Sequence, residues 1–145
     1  MVEIKRFVST WLLSSIPMFG LSYLWHGVML NDYARMNYPL ESFLFISFGA
    51  YLLISAALTA LNHYVNTGKK KILTGGLIGV VFGLFLYLIA FVLDISYHSS
   101  RTIDHILVDF FWQAIEQGFG GLCCGLVFQF YMDKMKMQSK QLADD

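Results

Sequence analysis

The sequence predicts an all-α membrane protein: a four-helix transmembrane bundle with short loops and both termini cytoplasmic. Three observations lead there. Four long apolar segments take up most of the 145 residues, basic residues gather beside alternate ends of those segments, and two segments carry small residues at helical spacing.

The apolar segments run from about Phe7 to Leu30, Ser42 to Val65, Ile72 to Leu93 and Ile106 to Tyr131. Each meets or exceeds the roughly 20 residues that a helix needs to cross about 30 Å of hydrocarbon. Hydrophobic residues make up 57% of the chain and charged residues 14%, against about one quarter charged in an ordinary soluble domain. The expected helices cover about 7–30, 42–65, 72–97 and 105–133, within a single integral membrane domain spanning 1–145. The first segment is too long for a signal-peptide core and continues through Trp11, Pro17 and Trp25 with no small-residue cleavage site, so it is kept as a helix. Cys123 and Cys124 are the only cysteines. Neighbours in a helix do not bridge readily, so they read as soft packing residues.

Charge sets the orientation. Lys5 and Arg6 precede the first helix, Lys69, Lys70 and Lys71 fill the turn between the second and third, and Lys134, Lys136 and Lys140 follow the fourth. The other two connections hold one basic residue each, Arg35 and Arg101. Lys and Arg concentrate on the cytoplasmic side, so both termini and the central turn are expected inside, in a prokaryotic plasma (inner) membrane. Topology accounts for the basic runs, and no nucleic-acid partner is called for. The expected partners are the lipid bilayer and other membrane subunits or further copies of the chain.

Each helix then has a face to explain. Pro17 removes a hydrogen-bond donor from helix one, which predicts a kink, and Ser15, Ser22 and His26 share a side of it. At its outer end Trp25 and Tyr33 read as interfacial anchors. Helix two carries Ser47, Tyr51, Ser55, Thr59 and Asn62, hydrogen-bonding groups with no ionisable residue in the middle. In helix three, Gly75, Gly79 and Gly83 make two overlapping G-x-x-x-G steps, which let another helix approach closely. The same face leads on to Tyr87, Ala90, Asp94 and His98. In helix four, Asp109, Gln113, Glu116, Gln117, Gly120, Gly121 and Cys124 share one face, while Phe111, Ile115, Phe119, Leu122, Leu126 and Phe130 suit lipid. Gly75, Gly79, Gly83, Gly121 and Gly125 are the expected packing residues.

The candidate chemistry lies in "VLDISYHSSRTIDHILVDFF" and just below it. Arg101 and Asp104 read as solvated, with Asp104 capping the fourth helix. Asp94 with His98, and His105 with Asp109, are four apart and can each share a face. Glu116 falls about ten residues, or roughly 15 Å, into its helix. A charge at that depth is costly, so the side chain must be neutral, hydrogen-bonded, paired or beside water. Glu116, Asp109, Asp94, Gln113 and Gln117 are therefore the proton or ion site candidates. Metal binding would need His26, Asp94, His98, His105 and Asp109 to converge in twos or threes; imidazole with carboxylate suits zinc, iron or copper. Haem would need His26 opposite His98 or His105. Neither cofactor is strongly implied. There is no nucleotide loop, nucleophile elbow, H-E-x-x-H or C-x-x-C.

Three functions fit, in this order. The first is a non-catalytic subunit or assembly module of a membrane complex or homo-oligomer. The second is a small proton- or cation-coupled transporter or conduit that uses the intramembrane carboxylates. The third is a metal-dependent membrane enzyme with an outer-side His/Asp site.

Overall fold

The computed structural model describes residues 2–35, 39–66, 70–93 and 103–144. Helix α1 spans Val2–Ser22 and runs on as a wider π-helical stretch, Tyr23–Met29; α2 spans Leu40–Val65, α3 Lys71–Val92 and α4 Ile103–Asp144. A short 3-10 turn, Asp32–Arg35, lies between α1 and α2, and the described residues contain no strand. Among spanning elements, helices satisfy every backbone group within one segment, which apolar surroundings require.

The helix ends follow local chemistry. Asn31 adopts a left-handed φ of 55°, which Asn tolerates better than most residues, and it ends the first helix. Pro39 occupies the N-cap of α2. At the other end of α2, the Asn66 N–H donates to the Asn62 carbonyl. The Asn66 amide donates to the Lys71 carbonyl at 2.7 Å, and the Lys71 ammonium returns a bond to the Asn66 carbonyl. The α2–α3 turn is thus closed by its own polar groups, and Lys71 is buried rather than solvated.

Cross-helix contacts give an up-down-up-down arrangement. Arg6 meets His63 and Phe19 packs on Phe48, so α1 and α2 are antiparallel. Ser9 meets Tyr131 and Trp25 stacks on Trp112, so α1 and α4 are antiparallel as well. The α3–α4 interface is by far the most extensive, whereas α2 and α3 scarcely touch.

The interior is polar and the exterior apolar. Among the described residues, the fully apolar core reduces to Met18, Leu58, Cys124, Val127 and Phe128, while Thr10, Ser14, Ser22, Ser55, Thr59 and Asn62 are all buried. Phe45, Leu53, Tyr64 and Val92 are each more than 70% exposed. Water would penalise that surface and lipid would not. Three helical stretches, Glu3–Met29, Leu40–Val65 and Lys71–Val92, are long and apolar enough to cross a membrane. They mark an integral membrane protein. The 42-residue α4 is less clearly a span, because Asp109, Gln113, Glu116 and Gln117 interrupt its apolar run.

Two bounds differ from expectation. Helix α1 starts at Val2 and stays helical through Pro17. Helix α4 continues well past 133 to Asp144, and residues 133–141 are exposed on all sides. The end expected for the third helix, near 97, lies outside the described residues.

Backbone lies on backbone along the α3–α4 seam. A Cβ built on Gly75 would strike the Gly121 carbonyl oxygen, one on Gly79 that of Gln117, and one on Gly125 that of Lys71. One on Gly121 would strike the Gly75 carbonyl oxygen and stand 3.0 Å from Gly79 Cα; one on Gly83 would strike the Gln113 carbonyl oxygen. No side chain of any size fits there. The outward face of α4 exposes Phe111, Ile115, Phe119, Leu126 and Phe130.

Candidate functional site

The seam fixes the depth of Glu116. Gly79 lies against Gln117 and Gly83 against Gln113, so Glu116 is level with the middle of α3. Its bonding partner Tyr51 lies near the middle of α2. The acid therefore sits at half-height in the bundle.

Its environment comes from three directions. On α4, the Gln117 amide donates to Glu116 Oε1 at 3.1 Å. From α2, the Tyr51 hydroxyl bonds the same carboxyl. The Trp112 indole N–H lies one helical turn away on its side of α4, near enough to act on the carboxyl but short of closed hydrogen-bond geometry. Glu116 is 1% exposed and Gln117 0%. Among the described residues no Lys, Arg or His makes an ion pair with Glu116. An acid this deep and without a cation leaves its charge to be handled by neutral donors or by a proton.

Not every polar atom around it is satisfied. Gln117 Oε1, Trp112 Nε1 and Trp25 Nε1 are buried with no hydrogen-bond partner, and the two indoles stack at 4.2 Å with planes 9° apart. Buried polar atoms are ordinarily paired, and each exception asks for a water, an ion or a functional reason. Here one acceptor and two donors remain open, and Gln117 and Trp112 both border the acid.

Above the carboxyl, towards the α1–α2 connection, the chain folds inwards. His26 Nδ1 and Asp32 Oδ2 are 3.0 Å apart, with the two residues only 9% and 6% exposed. The wide π-helical turn carries His26, and Asn31 reverses the chain so that Asp32 meets it. The Tyr33 ring then covers Gly27, where a Cβ would lie 2.9 Å from the ring, and it packs on Tyr23 and Phe43. Its hydroxyl bonds Ser22 and lies within electrostatic reach of Glu116. Burial holds the Tyr33 phenol above the usual tyrosine range, against the opposing effect of the Ser22 bond. It is thus a neutral donor near neutral pH. Trp25 thus packs on Trp112, and Tyr33 on the Ser22–Gly27 turn.

From the level of the carboxyl downwards, α1 presents Ser22, Met18, Ser14 and Thr10 at four-residue spacing, all buried. Helix α2 adds Ser55, Thr59, Asn62 and Asn66, also buried. The Thr10, Ser14, Ser15 and Ser55 hydroxyls donate to their own helix carbonyls, and Thr59 lies 3.7 Å from the Cys124 sulfur. Sequence reasoning singled out Ser15 and Ser22 but not Thr10 or Ser14, since small hydroxyl residues that bond to their own helix give little signal in an apolar run.

The other candidates scatter. Gln113 and Asp109 are half-buried on α4, one and two turns above Glu116, and Asp109 is engaged with neighbours. Asp94 and His98 lie outside the described residues, as does the side chain of His105. Among the described residues no three His, Cys, Asp or Glu side chains converge to hold a metal, and His26 is occupied by Asp32. No family model, curated protein or solved structure matches the chain.

Proposed function

We propose that this is a four-span membrane protein that binds and passes a proton at Glu116, a small proton-coupled conduit or transporter. The observation that carries the reading is the unsatisfied hydrogen-bonding capacity beside a mid-depth acid that has only neutral partners among the described residues. A carboxyl serving only to bind helices together would be expected to use up the polar atoms around it, because each one left unpaired costs about 1–3 kcal/mol. Open donors and an open acceptor suit a site that water or hydronium enters. In this reading α4 crosses the membrane with its acid face turned inwards, and its low hydropathy reflects function. We also propose, from the excess of basic residues at those ends, that both termini and the α2–α3 turn face the cytoplasm of a prokaryotic cell. A cysteine at position 100 should then label only from outside intact cells, and labelling only from inside would reverse the orientation.

The direct test is proton flux in proteoliposomes under an imposed pH gradient. Glu116→Gln keeps the shape and most hydrogen bonding of the side chain but cannot titrate. Flux should fall to the level of protein-free vesicles, with melting temperature and oligomeric mass unchanged. Equal flux in both proteins contradicts the reading.

A second reading, an assembly module, has its own observation. Helices α2 and α3 leave an apolar groove of about 830 Å³ between them, lined by Ala57, Leu61, Val65, Leu77, Val81 and Phe85. A helix of a membrane partner would fit such a groove, and a stable oligomer in mild detergent would favour this role.

A further inference from the structure

The buried polar stripe of α1 is broken at one place. Thr10, Ser14, Ser22 and His26 carry polar groups, and Met18 stands between them at the same spacing. On α2, Leu58 lies among Ser55, Thr59 and Asn62. Met18 and Leu58 are both 0% exposed and meet over α4 at Gly120, where a Cβ would collide with the Met18 sulfur and stand 3.1 Å from Leu58 Cδ2. Cys124 completes this cluster, and Tyr51, Ile54, Ile78 and Phe82 pack around it. Gly120 is one helical turn from Glu116, so the cluster lies directly beneath the acid.

From the α1–α2 end the order is therefore Tyr33 with the His26–Asp32 pair, then Glu116 with Ser22, Tyr51 and Gln117, then Met18 and Leu58. Below them come Ser14, Thr59, Asn62, Thr10 and Asn66, with Lys71 at the bottom. Buried polar side chains lie both above and below, and the Met18–Leu58 layer stands between the two groups. Water leaves narrow apolar constrictions readily, and a constriction without water does not carry protons. The absence of a side chain at Gly120 is what lets Met18 and Leu58 close on each other.

We infer that Met18 and Leu58, closing over Gly120, form the barrier that separates the Glu116 site from the polar column on the cytoplasmic side. Methionine suits a barrier that must open, since its unbranched side chain adopts several rotamers and repacks easily. The inference rests on the proton-site reading, and the experiment below separates failure of one from failure of the other.

Met18→Gln has nearly the shape of the native side chain but can hold water, and Leu58→Gln does the same from α2. Met18→Leu is the apolar control. Each is measured by proton flux in proteoliposomes, alone and combined with Glu116→Gln, with melting temperature recorded. The barrier predicts at least a tenfold rise in flux for both Met18→Gln and Leu58→Gln, and for Met18→Leu a flux within about twofold of the native protein. If either glutamine variant is folded and its flux is unchanged, the barrier is overturned even where Glu116→Gln abolishes native flux. If the glutamine variants leak but Glu116→Gln changes flux in neither background, the barrier stands and the Glu116 reading fails. A Met18→Leu leak equal to that of Met18→Gln would point to loosened packing and would also overturn the barrier.

Discussion

Helix α4 has two buried faces that differ in kind. Towards α3 it offers Gly118, Gly121 and Gly125, and the two backbones touch with almost nothing between them. Towards α1 and α2 it offers Glu116, Gly120 and Cys124, which meet Tyr51, Met18, Leu58 and Thr59, while Gln117 stands at the edge of the α3 seam and bonds Glu116. The first face can only hold helices together, because it leaves no room and carries no side chain that titrates. The second leaves polar atoms unpaired and contains the acid. The contrast separates packing from chemistry on a single helix: substitutions on the glycine face should change assembly, and substitutions on the acid face should change proton handling.

The largest effect is expected on the glycine face. Gly79→Leu and Gly121→Leu each place a side chain where the partner backbone lies, and α3 and α4 must separate. Overpacking typically costs about 1–3 kcal/mol and more where backbone is the obstacle. Loss of monodisperse protein, or a melting temperature lower by well over 10 °C, should follow. Unchanged melting in both variants would show that the seam is not the main contact of the bundle.

The smallest effect is expected where glycine faces open space. A Cβ at Gly20 or Gly49 meets nothing within 4 Å. Gly20→Ala and Gly49→Ala should leave flux unchanged and alter stability by no more than about 1 kcal/mol, in the stabilising direction that helix propensity favours. Substantial destabilisation in either would mean that this outer surface is covered by another chain, which would strengthen the assembly reading.

Much of the glycine face was legible in the sequence. Glycines repeating at four residues in an apolar run have few other uses, and both stripes face each other in the structure. Glu116 was equally visible, since an acid far from any segment end has no cheap explanation. The surroundings of the acid were much less legible. Tyr51 was read only as one of several polar residues on α2, and nothing local assigns it to Glu116. Asp32 and Tyr33 turn inwards because the π-helical stretch and the left-handed Asn31 redirect the chain, and tertiary contacts set that path. Met18 and Leu58 are ordinary apolar residues in apolar helices; only their position between buried hydroxyls, above a glycine, distinguishes them. The long exposed end of α4 gives no hydropathy signal, because helix-forming polar residues carry it from the apolar run to Asp144.

The most direct measurement is infrared spectroscopy of the protein in lipid across a pH titration, in H2O and D2O, for the native chain and Glu116→Gln. The account predicts a carboxyl C=O band that titrates, shifts on deuteration within minutes, and is missing from Glu116→Gln. A Glu116 band that neither titrates nor exchanges would describe a sealed structural carboxyl and would contradict the proton site.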